Sequence, residues 1–323
     1  MTDIMDAKEE SSAGNVIYVL GLPYSGSTLF GLALGQHSAI HTIGEMNNIE
    51  SDYNPKTQCS CGEKLQDCTF WNGMRSSLQK DSETKDILNR WDSSGNAARH
   101  IIDRRGGLRK ILVVLGIPLQ WIYGRQNCEE YERTNLKYFR GFQSYLPSGD
   151  YCLDLSKSPE RLELLDESLG AKVKVIYVKR RLRDVYASIL KRPKRTRKYY
   201  GPKALREALW LFLRARHCDR VFARISDSNK AVVNLSEFID DPKKVLSNLD
   251  QWMGLDPVSR DGFSPRHVEL RSQHVFVGNT WVKRSQTGSV EIRESKARTE
   301  LTRFQATVFR LVLGARAEQW HKR

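Results

Sequence analysis

The chain has 323 residues, 40% hydrophobic and 28% charged, with 52 Lys and Arg against 38 Asp and Glu for a formal net charge of +14. That length and balance suit one large globular domain, and 6 cysteines in so long a chain exclude a small disulfide scaffold. The basic excess favours an anionic ligand or an acidic surface as partner, without bearing on fold.

Met1 to Gly14 is polar and partly acidic and lacks an apolar secretory core, so it reads as a flexible N-terminus ahead of a single α/β domain over 15–323. With thiols expected to be mostly reduced, the expected location is cytoplasmic. Val16-Ile17-Tyr18-Val19-Leu20 is an unbroken apolar run that reads as a buried strand. Gly21, Pro23 and Gly26 shape the loop that follows, and an apolar helix opens at Ser27-Thr28. Strand, glycine loop and helix N-terminus in that order make a phosphate cradle, in which backbone N–H groups close on an anion and the helix dipole adds to them. The spacing is that of a nucleotide triphosphatase loop, except that Ser27 stands where such a loop has lysine. Without that charge on a β/γ-phosphate, the loop suits a single 5′-phosphate bearing another transferable group.

Ala39 to Ile43 reads as the next strand, and Glu45 falls just past its end, at the ligand edge of such a sheet. Residues 50–146 read as an insertion, mostly helical in its later part. Its first part carries Cys59, Cys61 and Cys68, three soft ligands that offer a metal site, a disulfide or free thiols. A fourth metal ligand would have to come from His37, His41 or a cysteine elsewhere. Arg104 to Lys110 is basic and Ile111 to Tyr123 is apolar, too short to span a bilayer; the segment is either a packed helix broken at Gly116 and Pro118 or a peripheral membrane contact. Glu129 to Leu146 reads as an amphipathic helix.

Tyr151 to Leu155 reads as a buried strand leading to Lys157, with Ser158-Pro159 opening a helix. An apolar run ending in Asp154 also fits a magnesium-linked carboxylate. Val173 to Val178 is a further strand delivering Arg180, and Ser188 follows eight residues later on a helix; guanidinium fork and hydroxyl can grip one phosphate. Between Pro202 and Arg216, Leu205, Ala208, Leu209, Phe212 and Leu213 form a stripe that reads as core. Ala231 to Leu235 is a strand, Asp241-Pro242 starts a helix, and a last helix is expected over about 295–313.

These blocks together resemble the sulfotransferases that use 3′-phosphoadenosine 5′-phosphosulfate, in particular a bacterial group similar to the tyrosylprotein sulfotransferases. The resemblance rests on Gly21 to Thr28, on Asp154-Leu155-Ser156-Lys157-Ser158-Pro159, and on Arg180 to Ser188. It also includes Cys59, Cys61, Gly62, Cys68, Phe70 and Trp71, and a late His274, Gly278 and Asn279. It implies a P-loop-type parallel sheet flanked by helices, with Tyr24, Ser25, Gly26, Ser27 and Thr28 cradling the 5′-phosphosulfate. Arg180 and Ser188, with Lys283 and Arg284 as further candidates, would hold the 3′-phosphate. Glu45 would be the base, and Lys157 would stabilise charge on the leaving group.

Tyr24 stands where many relatives carry Lys or Arg, and it donates one hydrogen bond without a charge. Either Lys157 and the loop amides carry that role, or the enzyme is slow, or the chain binds without catalysing. The expected reaction is sulfuryl transfer to a hydroxyl or amine without a required metal. The acceptor is open among saccharide, lipid, peptide and small alcohol, and no specific nucleic acid is expected. The rivals are a P-loop kinase or NTPase and a non-catalytic binder of anionic polymers.

Overall fold

Five apolar segments build the sheet that positions everything else. The computed structural model describes residues 15–80, 108–169, 173–191, 202–258, 263–264, 267–269, 273–276, 289–291 and 301–320. The strands are β1 (Val16–Gly21), β2 (Ile40–Gly44), β3 (Tyr151–Lys157), β4 (Val173–Lys179) and β5 (Lys230–Asn234), side by side in the order β2-β3-β1-β4-β5. Every pairing is parallel. The α/β fold with a P-loop-type sheet is therefore as expected. From β1 the chain moves outward to β2, returns to β3, then crosses to β4 on the far side of β1. That reversal makes the carboxyl end of β1 the switch point, where an open α/β sheet leaves a crevice.

Parallel strands covered on both faces are apolar along most of their length, and β1 is buried at all six positions. Alternation divides its side chains: Ile17 and Val19 join one core, Val16, Tyr18 and Leu20 the other. The first core is closed by α1 (Ser27–Leu34), through Phe30 and Leu34, and by later helices through Phe238, Leu246 and Leu249.

The described part of 50–146 is largely helical: α2 (Thr69–Lys80), α3 (Leu108–Leu115), α4 (Leu119–Tyr123) and α5 (Arg125–Tyr145). α3 stops at Gly116, whose φ of 95° suits glycine, and α4 starts after Pro118. The packed reading of this segment holds in part. Val113 and Val114 are buried, whereas Leu108, Ile111 and Leu115, which share a face, are exposed, as is Trp121 on α4. Arg104 and Arg105 lie outside the described residues.

Beyond β3 come α6 (Pro159–Leu169), α7 (Leu182–Leu190) and α8 (Pro202–Arg224), then α9 (Leu235–Asp240), α10 (Pro242–Met253) and α11 (Arg303–Trp320). Asp241 caps α10 by accepting from the Lys244 N–H at 3.1 Å. α8 corrects one expectation. Of the expected stripe, Ala208 is buried and Phe212 packs partly buried against the core, but Leu205 and Leu209 are exposed; the buried stripe is Ala204, Ala208, Leu211, Ala215, Cys218 and Val221. Small side chains let α8 approach closely, so alanines rather than the larger Leu205 and Leu209 take the packed face. α11 begins and ends later than expected, and Trp320 near its end is buried against the body. A short antiparallel sheet joins Phe263–Ser264, His267–Glu269 and Ser289–Glu291. Among the described residues no helix is long and apolar enough to cross a membrane.

Candidate active site

The loop leaving β1 has two residues in the left-handed region, Tyr24 (φ 64°) and Gly26 (φ 82°). At Gly26 a Cβ would lie 2.6 Å from Leu235 Cδ1, so only glycine fits there. The loop closes on itself through the Ser25 N–H to the Leu22 carbonyl at 3.2 Å, and Gly26 then caps α1, accepting from the Phe30 N–H at 3.0 Å. Ser27 and Thr28 are buried in the first turn, whose leading N–H groups have no partner inside the helix. Ser25 is 1% exposed, and among the described residues nothing bonds to its hydroxyl. A buried orphan hydroxyl beside a helix N-terminus is chemistry that an anion completes, so these residues fit a bound phosphate.

On the other side of β1, β3 ends at Lys157 in register with Leu20, and β2 leads into Glu45. Lys157 Nζ donates to Glu45 Oε1 at 2.6 Å, and Asn48 Nδ2 donates to Glu45 Oε2 at 2.8 Å. Both members of the ion pair are about five-sixths buried, their side chains 17% and 16% exposed. Lys157 holds a φ of 62°, which turns the chain sharply at the strand end.

Asp154 does not play the part of a magnesium-linked carboxylate. It is fully buried and accepts from the Ser156 N–H and hydroxyl, from the Met46 N–H at 3.4 Å, and from Arg161 Nε at 3.2 Å. Ser156 in turn accepts from the Asn47 N–H at 3.2 Å. Asp154 therefore fixes the Glu45–Asn48 turn from beneath. Arg161 also donates to Tyr131 at 3.2 Å and to Asn135, so α5 and α6 share in holding that turn. Asn48, Ser156 and Arg161 were missed as supporting residues. Only the Asp-x-Ser spacing at the strand end hinted at one of them.

Across β1, Arg180 follows β4. Its Nη1 donates to the Tyr24 carbonyl at 2.9 Å, and its own carbonyl accepts from Trp320 Nε1 at 3.1 Å. Burial pulls the Arg180 guanidinium below its ordinary pKa, partly offset by Asp184. Ser188 donates to the Asp184 carbonyl at 2.7 Å, one turn back on α7. The predicted loop, Glu45, Lys157 and Arg180 thus lie along the carboxyl edge of neighbouring strands; Lys283, Arg284, Gly278 and Asn279 lie outside the described residues.

The cysteine trio has a partner that spacing could not name. His37 is used by the Ala39 N–H at 3.0 Å and the Asp256 carbonyl at 3.1 Å, and His41 by Asp150 at 2.7 Å. It is His274 that joins Cys59, Cys61 and Cys68. Hydrogen bonds from Cys59 and from His274 draw the Cys68 thiol down to about 4.

No family model matches the chain, and no curated protein does. The fold is similar to solved bacterial sulfotransferases. One, from Mycobacterium avium, has 13% identity and a TM-score of 0.49, with 97% of this chain and 80% of that one covered. Another, the sulfotransferase domain of the Synechococcus olefin synthase, has 18% identity and a TM-score of 0.44, with 95% and 94% covered. A third, from Mycobacterium tuberculosis, has 13% identity and a TM-score of 0.46, with 96% and 79% covered.

Proposed function

We propose that the chain is a sulfotransferase that moves a sulfuryl group from 3′-phosphoadenosine 5′-phosphosulfate to a hydroxyl or amine. One observation carries the reading. A phosphate loop lacking its lysine, with a buried unpaired Ser25 hydroxyl, stands between a Lys157–Glu45 pair on one side and Arg180 on the other. The donor supplies the activated sulfuryl group and an anionic leaving phosphate. The Ser25, Ser27 and Thr28 hydroxyls and the loop N–H groups hold that 5′-phosphate, and Arg180 with Ser188 takes the 3′-phosphate, Lys283 and Arg284 being further candidates. Glu45 accepts the acceptor's proton, oriented by Asn48 and released from Lys157 as the ammonium turns to the developing negative charge. Losing one such donor typically raises the barrier by about 3 kcal/mol. No metal enters the transfer in this reading.

The acceptor is a saccharide, lipid, peptide or small alcohol. Exposed Leu108, Ile111, Leu115 and Trp121 support an amphipathic acceptor or a peripheral membrane contact. A kinase reading loses its metal-binding carboxylate because Asp154 is fully engaged with Arg161 and Ser156. The deciding experiment is calorimetric titration with adenosine 3′,5′-bisphosphate, 5′-AMP and ATP, each without added metal. Tight binding of the bisphosphate alone is expected, with Arg180→Ala weakening it far more than it weakens acceptor binding. A requirement for ATP and Mg²⁺, or equal loss of both ligands in Arg180→Ala, would overturn the assignment.

A further inference from the structure

Three sulfurs and one imidazole nitrogen meet away from the site just described. The ligand atoms of Cys59, Cys61, Cys68 and His274 all lie within 4.8 Å of one another. Cys61 and Cys68 sulfurs are 3.7 Å apart, and His274 Nδ1 lies 3.3 Å from Cys68 Sγ and 3.9 Å from Cys59 Sγ. A tetrahedral zinc centre with Zn–S of about 2.3 Å and Zn–N of about 2.0–2.1 Å has edges of roughly 3.5–3.8 Å. These three distances lie close to such edges, and with the remaining pairs inside 4.8 Å a small inward shift of the ligands completes the tetrahedron. We propose that Cys59, Cys61, Cys68 and His274 form a structural zinc site that clips residues 273–276 onto the turn at 59–68.

The surroundings are built for it. The turn is held by the Cys59 N–H to the Glu63 carbonyl at 2.8 Å and the Gly62 N–H to the Cys59 carbonyl at 3.0 Å, with Gly62 at φ 102°. The His274 ring is stacked on Phe70 at 4.8 Å between centroids, and its carbonyl accepts from Trp71 Nε1 at 2.9 Å. Ser60 ties the two segments by donating to the Gln273 carbonyl at 2.6 Å. These contacts fix the ligands as outer-shell groups do at metal sites. Three thiolates and an imidazole select a soft or borderline ion over magnesium or calcium, and four protein ligands leave no open position for catalysis. On binding, each sulfur that still carries a proton gives it to solvent as a sulfur–zinc bond forms. His274 shares a small cleft with Gly35, Ile40, His41 and Thr42, at the end of α1 remote from the phosphate loop. The site is thus independent of the sulfuryl-transfer reading.

The test is elemental analysis of the full chain purified without chelator, supported by cobalt exchange. About one zinc per chain is expected. Exchange into cobalt should give the intense visible bands of a tetrahedral site with thiolate-to-metal charge transfer in the near ultraviolet. His274→Cys should keep the metal, while His274→Phe, which preserves ring stacking on Phe70, should lose it. A strong zinc chelator should lower the melting midpoint of the native chain by several degrees and leave that of His274→Phe unmoved. The proposal is overturned by a folded native chain without zinc that fails to take up cobalt. It is equally overturned by a Cys61–Cys68 disulfide, two hydrogens lighter by mass, in freshly isolated protein. Should the variants fail to fold, the zinc content and cobalt spectrum of the native chain still decide.

Discussion

Among the described residues two that are not glycine adopt left-handed backbone, Tyr24 and Lys157, and both lie at the carboxyl edge of β1. Such conformations cost about 1–3 kcal/mol each and persist where the surroundings impose them. Tyr24→Gly is therefore expected to leave stability unchanged or raise it by up to about 1 kcal/mol, while weakening bisphosphate binding. Denaturant unfolding read beside calorimetry would separate the two, and a clear loss of stability would show that the tyrosine ring, rather than its backbone, matters to the fold. At Glu45 the two carboxylate oxygens are each held by one donor, Lys157 and Asn48. Glu45→Gln keeps the shape and removes the carboxylate proposed as base. It should lower kcat by about 10²–10⁴-fold with little change in bisphosphate affinity. A variant with full kcat would remove Glu45 from the mechanism.

At the level of elements, the turn that carries Glu45 is only as fixed as the buried pair beneath it. Arg161→Leu leaves the Asp154 charge buried beside an apolar side chain, and breaking a buried pair from one side typically costs about 3–5 kcal/mol. We expect that loss in urea unfolding, together with a lower kcat, since Met46, Asn47 and Ser156 are all held through Asp154. α1 lies so close to β3 that a Cβ on Gly31 would sit 2.4 Å from Leu155 Cδ2. Gly31→Val should therefore destabilise by about 1–3 kcal/mol through overpacking, unless Leu155 is shortened to alanine in the same chain. The stability of that double variant relative to the single is the check.

Across the whole molecule, α6 and α8 are tied by charge. Glu163 accepts from His217 Nε2 at 3.1 Å and from Arg224 Nη1 at 2.8 Å. Burial pushes the Glu163 carboxyl up, but these partners outweigh it and hold it below the ordinary 4.5. A carboxylate depressed in the folded state stabilises above its unfolded pKa, and that contribution is lost as pH falls through the folded value. Stability should thus decline on acidification below about pH 4.5, and Glu163→Gln should flatten the decline, as urea midpoints across that range would register. Apolar runs are legible because a strand buried on both faces tolerates a polar side chain only when it is paired, as Asp154 is with Arg161, which is why β1, β3 and β4 could be read directly. The glycine loop between β1 and α1 was equally legible, since glycines and a helix start are local features. The face of α8 was legible only at Ala208 and Phe212, because close approach rewards Ala204 and Ala215 over Leu205 and Leu209, and only the neighbouring helix determines where that approach occurs. Nor could spacing join His274 to Cys68, 206 positions apart, or reveal that Asp154 belongs to Arg161. The sequence by itself determined the five strands of the parallel sheet and the order strand, glycine loop, helix, since both follow from residues close together in the chain, whereas the small antiparallel sheet left no such local signal. Only the tertiary structure decided which distant side chains share a site, because the strand order that brings them together is set by how the whole chain buries its apolar faces.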